Sequence, residues 1–146
     1  MVKEKPKGKI GIAHTRWATH GKPSEKNAHP HVSNNRVFIV HNGIIENYVA
    51  LKEQLIKKGY QFNSQTDSEL IAHQLDFFLN QGSEMLDAMS LLKEKLEGAY
   101  AVAAIDLKNE SHFYLMRNKS PLLLGQSDSG MFCLLYTSPS PRDSSK

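Results

Sequence analysis

An α+β layered sheet is what the order of local patterns predicts for this chain. Short β-prone runs at residues 9–14 and 36–40 come first, stretches of helical period follow, and β-prone runs return from residue 100 onward. The 146 residues, 40% hydrophobic and 23% charged, have the length and composition of a single globular domain.

The runs at 9–14 and 36–40 each lead into a polar stretch, which predicts polar motifs at strand ends. Between them Gly21, Pro23, Ser24, Asn27, Pro30, Ser33 and Asn34 mark a turn-rich loop long enough to fold over a site. From Ile44 the period changes: Ile44, Tyr48, Leu51 and Leu55 share a helical face, and Gly59 stands where a left-handed C-terminal residue belongs. Thr66 and Glu69 have the spacing of a capping box, opening a helix with the stripe Ile71, Leu75 and Phe78. Ser83 opens another, with Met85, Met89, Leu92 and Leu96 inward, Glu84 and Asp87 early, Lys93 and Lys95 late, and Gly98 beyond. Residues 100–106 and 112–116 flank a Lys108-Asn109 turn and read as a buried hairpin, with 122–125 a further short strand.

Composition narrows the function classes. A net charge of +3 names no polyanionic partner. Lys3, Lys5, Lys7 and Lys9 alternate without stacking aromatics, the pattern of a solvated arm and not of a nucleic-acid site. No apolar run is long enough to span a bilayer. Phosphate-cradling Gly-x-Gly-x-x-Gly and P-loop patterns are absent. Five of the seven histidines fall at 14, 20, 29, 31 and 41, and His29-x-His31 is a spacing that metals use. Without a His-Glu-x-x-His motif or paired cysteines, the expectation is no metal.

The residues with chemical potential are Arg16, Trp17, Thr19 and His20 in one run, then Asn42-Gly43, then Asp67. A guanidinium is a planar fork suited to a carboxylate, an aspartate is a counter-charge for an ammonium, and a side-chain amide next to a glycine N–H can form an oxyanion hole. Each has a plainer reading. Arg16 beside Trp17 is also a surface cation stacked on an indole. Asn42-Gly43 is a common hairpin turn, and Asn42 can cap a helix. Asp67 suits the first turn of a helix through the dipole alone.

The motifs GIAHTRWATHG at 11–21, NAHPH at 27–31, HNGIIENY at 41–48, TDSE at 66–69, EGAYA at 97–101 and SPLLLG at 120–125 occur in one order. Together they resemble the glutaminase domain of the glucosamine-6-phosphate synthase family, class II amidotransferases of the N-terminal-nucleophile superfamily. The resemblance implies a partial four-layer αββα sandwich. It implies that Arg16 holds the carboxylate of L-glutamine, Asp67 its ammonium, and Thr19 and His20 its amide end, with Trp17 as a wall. Asn42 and Gly43 would form the oxyanion hole. It also implies a cytoplasmic, homo-oligomeric parent that uses no cofactor and passes ammonia to fructose 6-phosphate. Other class II amidotransferases keep an arginine and an Asn-Gly in different surroundings, and a non-catalytic glutamine-binding module is the alternative from another functional class.

That family attacks glutamine with the cysteine at its mature N-terminus, whose own amine is the base. Here residues 1 and 2 are Met and Val, and the only cysteine is Cys133. The expectation is an internal fragment lacking the nucleophile and the N-terminal strands, and therefore inactive. Residues 133–143 read, codon by codon, as the translation of a transposase sequencing adaptor. The expected division is thus a partial amidotransferase domain over 1–132 and a disordered tail over 133–146.

Overall fold

The structure, a computed structural model, describes residues 7–15 and 23–136. Its frame is a four-stranded antiparallel sheet in the order β1 (His31–Ser33), β2 (Val37–Ile45), β3 (Gly98–Asp106) and β4 (Tyr114–Asn118). Three helices, α1 (Tyr48–Lys57), α2 (Ser68–Asn80) and α3 (Met85–Lys95), lie between β2 and β3 in the chain. A second sheet is the hairpin of β5 (Leu122–Ser127) and β6 (Gly130–Leu135).

Strand alternation decides which face the helices cover. Val37, Ile39 and Ile45 of β2 join Tyr100, Val102 and Ala104 of β3 and Met116 of β4 in one buried cluster. Their register partners agree, because Ile39 lies opposite Ala104 and Val102 opposite Met116. Leu55, Leu70, Ile71, Leu75 and Leu92 close the cluster from the helix side. Each such side chain gains about 1.5–3 kcal/mol by leaving water. Helix α2 is the central element, with buried residues around its circumference and not along the single stripe that the sequence predicts. Even Asp76 of α2 is 1% exposed, its Oδ2 accepting from Asn34, Tyr60 and Asn80.

Where prediction and structure part, a competing interaction is visible. The run 9–14 forms no strand. Strand β2 does not stop before Asn42-Gly43 but continues through it, because residues 42–45 pair with Ala101, Tyr100, Ala99 and Gly98. The motif therefore lies inside a strand and not at its end, and neither a hairpin turn nor a helix cap describes it. Helix α1 accordingly starts at Tyr48 and not at Ile44. Asn47 precedes it without capping it, and bonds instead to Lys95 O and Glu97 N–H where α3 leads into β3. Gly59 ends α1 as predicted, at φ 93°, with Tyr60 N–H bonded back to Leu55 O at 3.0 Å.

The Thr66–Glu69 capping box is not formed, and α2 has Asp67 at its N-cap without a side-chain cap bond. The Thr66 hydroxyl meets those of Ser64 and the ring of His31. The Glu69 carboxylate reaches back past the helix start to the N–H groups of Asn63 and Ser64. At the other end of the sheet Arg36 forks onto Asp106 with two bonds of 2.9 Å, joining the start of β2 to the end of β3. Cys133, Leu134 and Leu135, expected to belong to a disordered tail, complete β6, while residues 137–146 lie outside the described part.

Candidate functional site

The two outer neighbours of β2 differ in length, and that difference makes room for a site. Strand β3 pairs with β2 along its full course, whereas β1 pairs only with Val37, Phe38 and Ile39. From Val40 onward that edge of β2 carries no strand among the described residues. Asn42, Gly43 and the N-terminus of α2 meet there.

Gly43 has φ 119° and lies opposite Tyr100. A Cβ at this position would come within 2.1 Å of the Ala99 carbonyl oxygen and 2.7 Å of Tyr100 Cα. Only glycine lets the two backbones approach so closely. Beneath it Tyr100 is fully buried, its hydroxyl has no hydrogen-bond partner, and burial raises its pKa.

The Asn42 side chain is half-buried, and its Oδ1 is held by Nε2 of His14. The His14 ring stacks on His29 at 4.2 Å between centroids, and His29 meets His31 edge-on at 4.8 Å. His29 Nε2 lies 3.1 Å from Ser68 Oγ, which also lies 2.8 Å from Nδ1 of His41. His31 Nε2 lies 3.0 Å from the Thr66 hydroxyl. The pair His29-x-His31 thus directs both Nε2 atoms at hydroxyl groups. Among the described residues no group of three or more metal-ligating side chains could hold an ion.

Asp67 is 4% exposed, and its Oδ2 accepts the Ile45 N–H at 2.8 Å. The capping box that the spacing of Thr66 and Glu69 predicts does not form beside Asp67. One oxygen of Asp67 is committed to the backbone of β2. That bond joins the start of α2 to the strand segment that carries Asn42 and Gly43. Beside it, burial opposes ionisation of Glu69, but bonds from His73, Asn63 and Ser64 outweigh it and hold the pKa at about 2.

Of the predicted site residues, Asn42, Gly43 and Asp67 come together at one end of β2, while Arg16, Trp17, Thr19 and His20 lie outside the described residues. Sequence reasoning missed His14, His29, His41, Ser68 and Tyr100 as neighbours of this site. The crowding of histidines before residue 42 was the available signal, but it was weighed only as a metal-ligand spacing, with no metal expected, and not as a hydrogen-bonded array.

Among the described residues, no helix is long and apolar enough to cross a membrane. A glutamine amidotransferase domain family matches residues 14–138. The glutamine–fructose-6-phosphate aminotransferase (isomerizing) of Pyrobaculum aerophilum is 50% identical over 119 residues, 81% of this chain and 20% of that protein. The enzyme of the same name from Vibrio parahaemolyticus is 50% identical over 118 residues, 81% of this chain and 19% of that protein. This chain therefore spans about a fifth of the length of these curated relatives. Among solved structures, the glutamine phosphoribosylpyrophosphate amidotransferase from B. subtilis, complexed with ADP and GMP, superposes with a TM-score of 0.66 at 26% identity. The match covers 82% of this chain and 26% of that one. An allosteric regulatory enzyme of purine biosynthesis superposes at 0.68 with the same identity and coverage. These neighbours are class II amidotransferases of the N-terminal-nucleophile type, and the α+β arrangement of helices and antiparallel sheets agrees with theirs. With a family match over most of its length and 50% identity to an aminotransferase over 119 residues, this chain belongs to the glutamine amidotransferase domain family.

Proposed function

We propose that this chain supplies the glutamine pocket of an aminotransferase that releases ammonia from L-glutamine for transfer to fructose 6-phosphate. One observation carries the reading: Asn42, Gly43 and the Asp67 carboxylate are tied to one strand segment by the Asp67 bond to Ile45 N–H. Asn42 and Ile45 lie three residue steps apart on the strand, about 10 Å, a span commensurate with an extended glutamine. In this reading Asp67 faces the α-ammonium, and Arg16 binds the α-carboxylate. Thr19 and His20 contact the amide end, and Trp17 walls the pocket. Relatives named for fructose 6-phosphate support the acceptor. A cytoplasmic, homo-oligomeric parent belongs to the same reading and rests on the family resemblance alone.

Chemically, a thiolate adds to the δ-carbonyl carbon and the carbonyl oxygen becomes an oxyanion, which Asn42 Nδ2 and Gly43 N–H stabilise. The C–N bond then breaks, ammonia leaves with a proton returned by the base, and water hydrolyses the thioester to glutamate. The thiol is the part this sequence does not offer. Cys133 is in β6, and burial raises its pKa. No glutamate release above a buffer control is expected from the purified chain, and measurable turnover would refute that expectation. The same observation favours a second reading, a glutamine-binding module without chemistry. Calorimetry decides between binding and none: glutamine is expected to bind the chain and to lose affinity in Asp67→Ala. A flat titration of the unchanged chain would remove both readings as properties of this polypeptide. The oxyanion role is tested in a chimera in which this chain supplies the segment it matches in the Pyrobaculum aerophilum relative. There Asn42→Ala is expected to lower kcat by about 10² to 10³.

A further inference from the structure

We propose that His14 is a positioning residue. Its Nε2–H holds the oxygen of the Asn42 amide, so that the NH₂ end, and not the carbonyl end, faces the reacting carbonyl of glutamine. This rests on the reading of Asn42 as an oxyanion donor and adds to it the device that decides which way the amide points.

An asparagine side chain is nearly symmetric in shape but opposite in chemistry at its two ends, one donating and one accepting. An oxyanion hole needs the donor. Turned by 180°, Asn42 would present a carbonyl to a developing negative charge and convert stabilisation into repulsion. Something must bias the rotation, and in this structure the group on Asn42 Oδ1 is Nε2 of His14.

The bias is only as good as the hold on His14, and that hold can be traced. The ring lies on His29 at 4.2 Å, tilted by 31°. His29 is fixed by Ser68 Oγ at 3.1 Å, and Ser68 by Nδ1 of His41 at 2.8 Å. His41 is the residue before Asn42 on β2 and is 3% exposed. Consecutive strand residues point to opposite faces, so His41 reaches α2 on one side while Asn42 faces the other. The chain Asn42, His14, His29, Ser68, His41 therefore closes on itself around the edge of β2 that β1 leaves open. Each member is pinned by its two neighbours, the arrangement that supporting contacts need if they are to hold a reacting group within a fraction of an ångström.

The tautomer of His14 tests the idea directly on the full chain. Long-range proton–nitrogen correlation spectra of isotope-labelled protein are expected to show His14 carrying a proton on Nε2. They should also show the Asn42 NH₂ pair as two distinct, slowly exchanging resonances, assigned by their loss in Asn42→Asp. His14→Phe should merge or broaden that pair. His14→Gln, whose terminal N–H can reach the same oxygen, should restore it. A bare Nε2 with the proton on Nδ1 overturns the proposal, since that nitrogen would accept from Asn42 and aim its carbonyl at the substrate.

Kinetics in the chimera with the Pyrobaculum aerophilum relative separate this failure from that of the underlying reading. His14→Phe is expected to lower kcat on the order of 10²-fold with KM little changed, and His14→Gln to recover most of it. The double variant His14→Phe/Asn42→Ala should be no slower than Asn42→Ala alone, since both remove one function. If Asn42→Ala leaves kcat intact, the oxyanion reading fails. If Asn42→Ala is slow and His14→Phe is not, the oxyanion reading stands and the positioning role is lost.

Discussion

Gly43 and Gly59 both adopt a left-handed φ, yet the structure separates them sharply. A Cβ at Gly59 meets nothing within 4 Å, so Gly59→Ala should cost only the conformational penalty, about 1–2 kcal/mol. At Gly43 the same carbon would overlap the β3 backbone, which cannot retreat without breaking its ladder. Gly43→Ala is expected to cost more than about 4 kcal/mol, in the range reserved for core disruption. Urea midpoints for the two variants decide it, and equal losses would mean that β2 and β3 lie farther apart than described. Tyr100 makes the opposite prediction. Its buried hydroxyl is unpartnered, so Tyr100→Phe should raise stability by about 1 kcal/mol; a lower urea midpoint would mean that the hydroxyl has a partner in solution. Glu69 sets a pH dependence. Its pKa falls from 4.5 to about 2 on folding, so its stabilisation is complete above the unfolded value and is lost as the pH falls from about 4.5 towards 2. That is about 3 kcal/mol. Glu69→Gln should be less stable than the parent at pH 7 and converge with it near pH 2; a constant gap across that window would remove Glu69 as the cause.

At the scale of elements, the hairpin β5–β6 stands apart, because Leu123, Leu124, Met131, Phe132 and Leu134 are each more than half exposed. Leu123 and Leu134 are cross-strand partners at 55% and 57% exposure. A long exposed apolar strand pair is an association hazard. The pair Leu123→Lys with Leu134→Glu should increase the soluble fraction while moving the melting free energy by no more than about 0.5 kcal/mol. A large loss of stability would show that these leucines pack on the rest of the domain. Which elements were legible in the sequence follows from how local their causes are. Helix α1 and its end at Gly59 were readable because helical spacing and a left-handed glycine are properties of adjacent residues. The extension of β2 through Asn42 to Ile45 was not, since its cause is β3, more than fifty residues away. The capping box failed for a related reason: Glu69 had better partners in the backbone of residues 63 and 64 than in its own helix start. At the site, Asn42, Gly43 and Asp67 were recognisable from motif order, but the histidine array that joins them depends on an open strand edge that no local pattern announces.

For the whole molecule, the order of the chain and the order of the sheet are at odds. Helices α1 to α3 lie between two strands that are immediate neighbours, and even the nearest pair, Ile45 with Gly98, is 53 residues apart. During synthesis at about 5–20 residues per second, β2 emerges some 3 to 10 s before the first residue of its partner. Throughout that interval Val37, Ile39 and Ile45 have no β3 beside them, and the left-handed Gly43 has no carbonyl of Ala99 to approach. The end of β2 that carries Asn42, which β1 does not reach, is therefore the part of the strand with no strand partner until the ribosome delivers Gly98 and the residues after it.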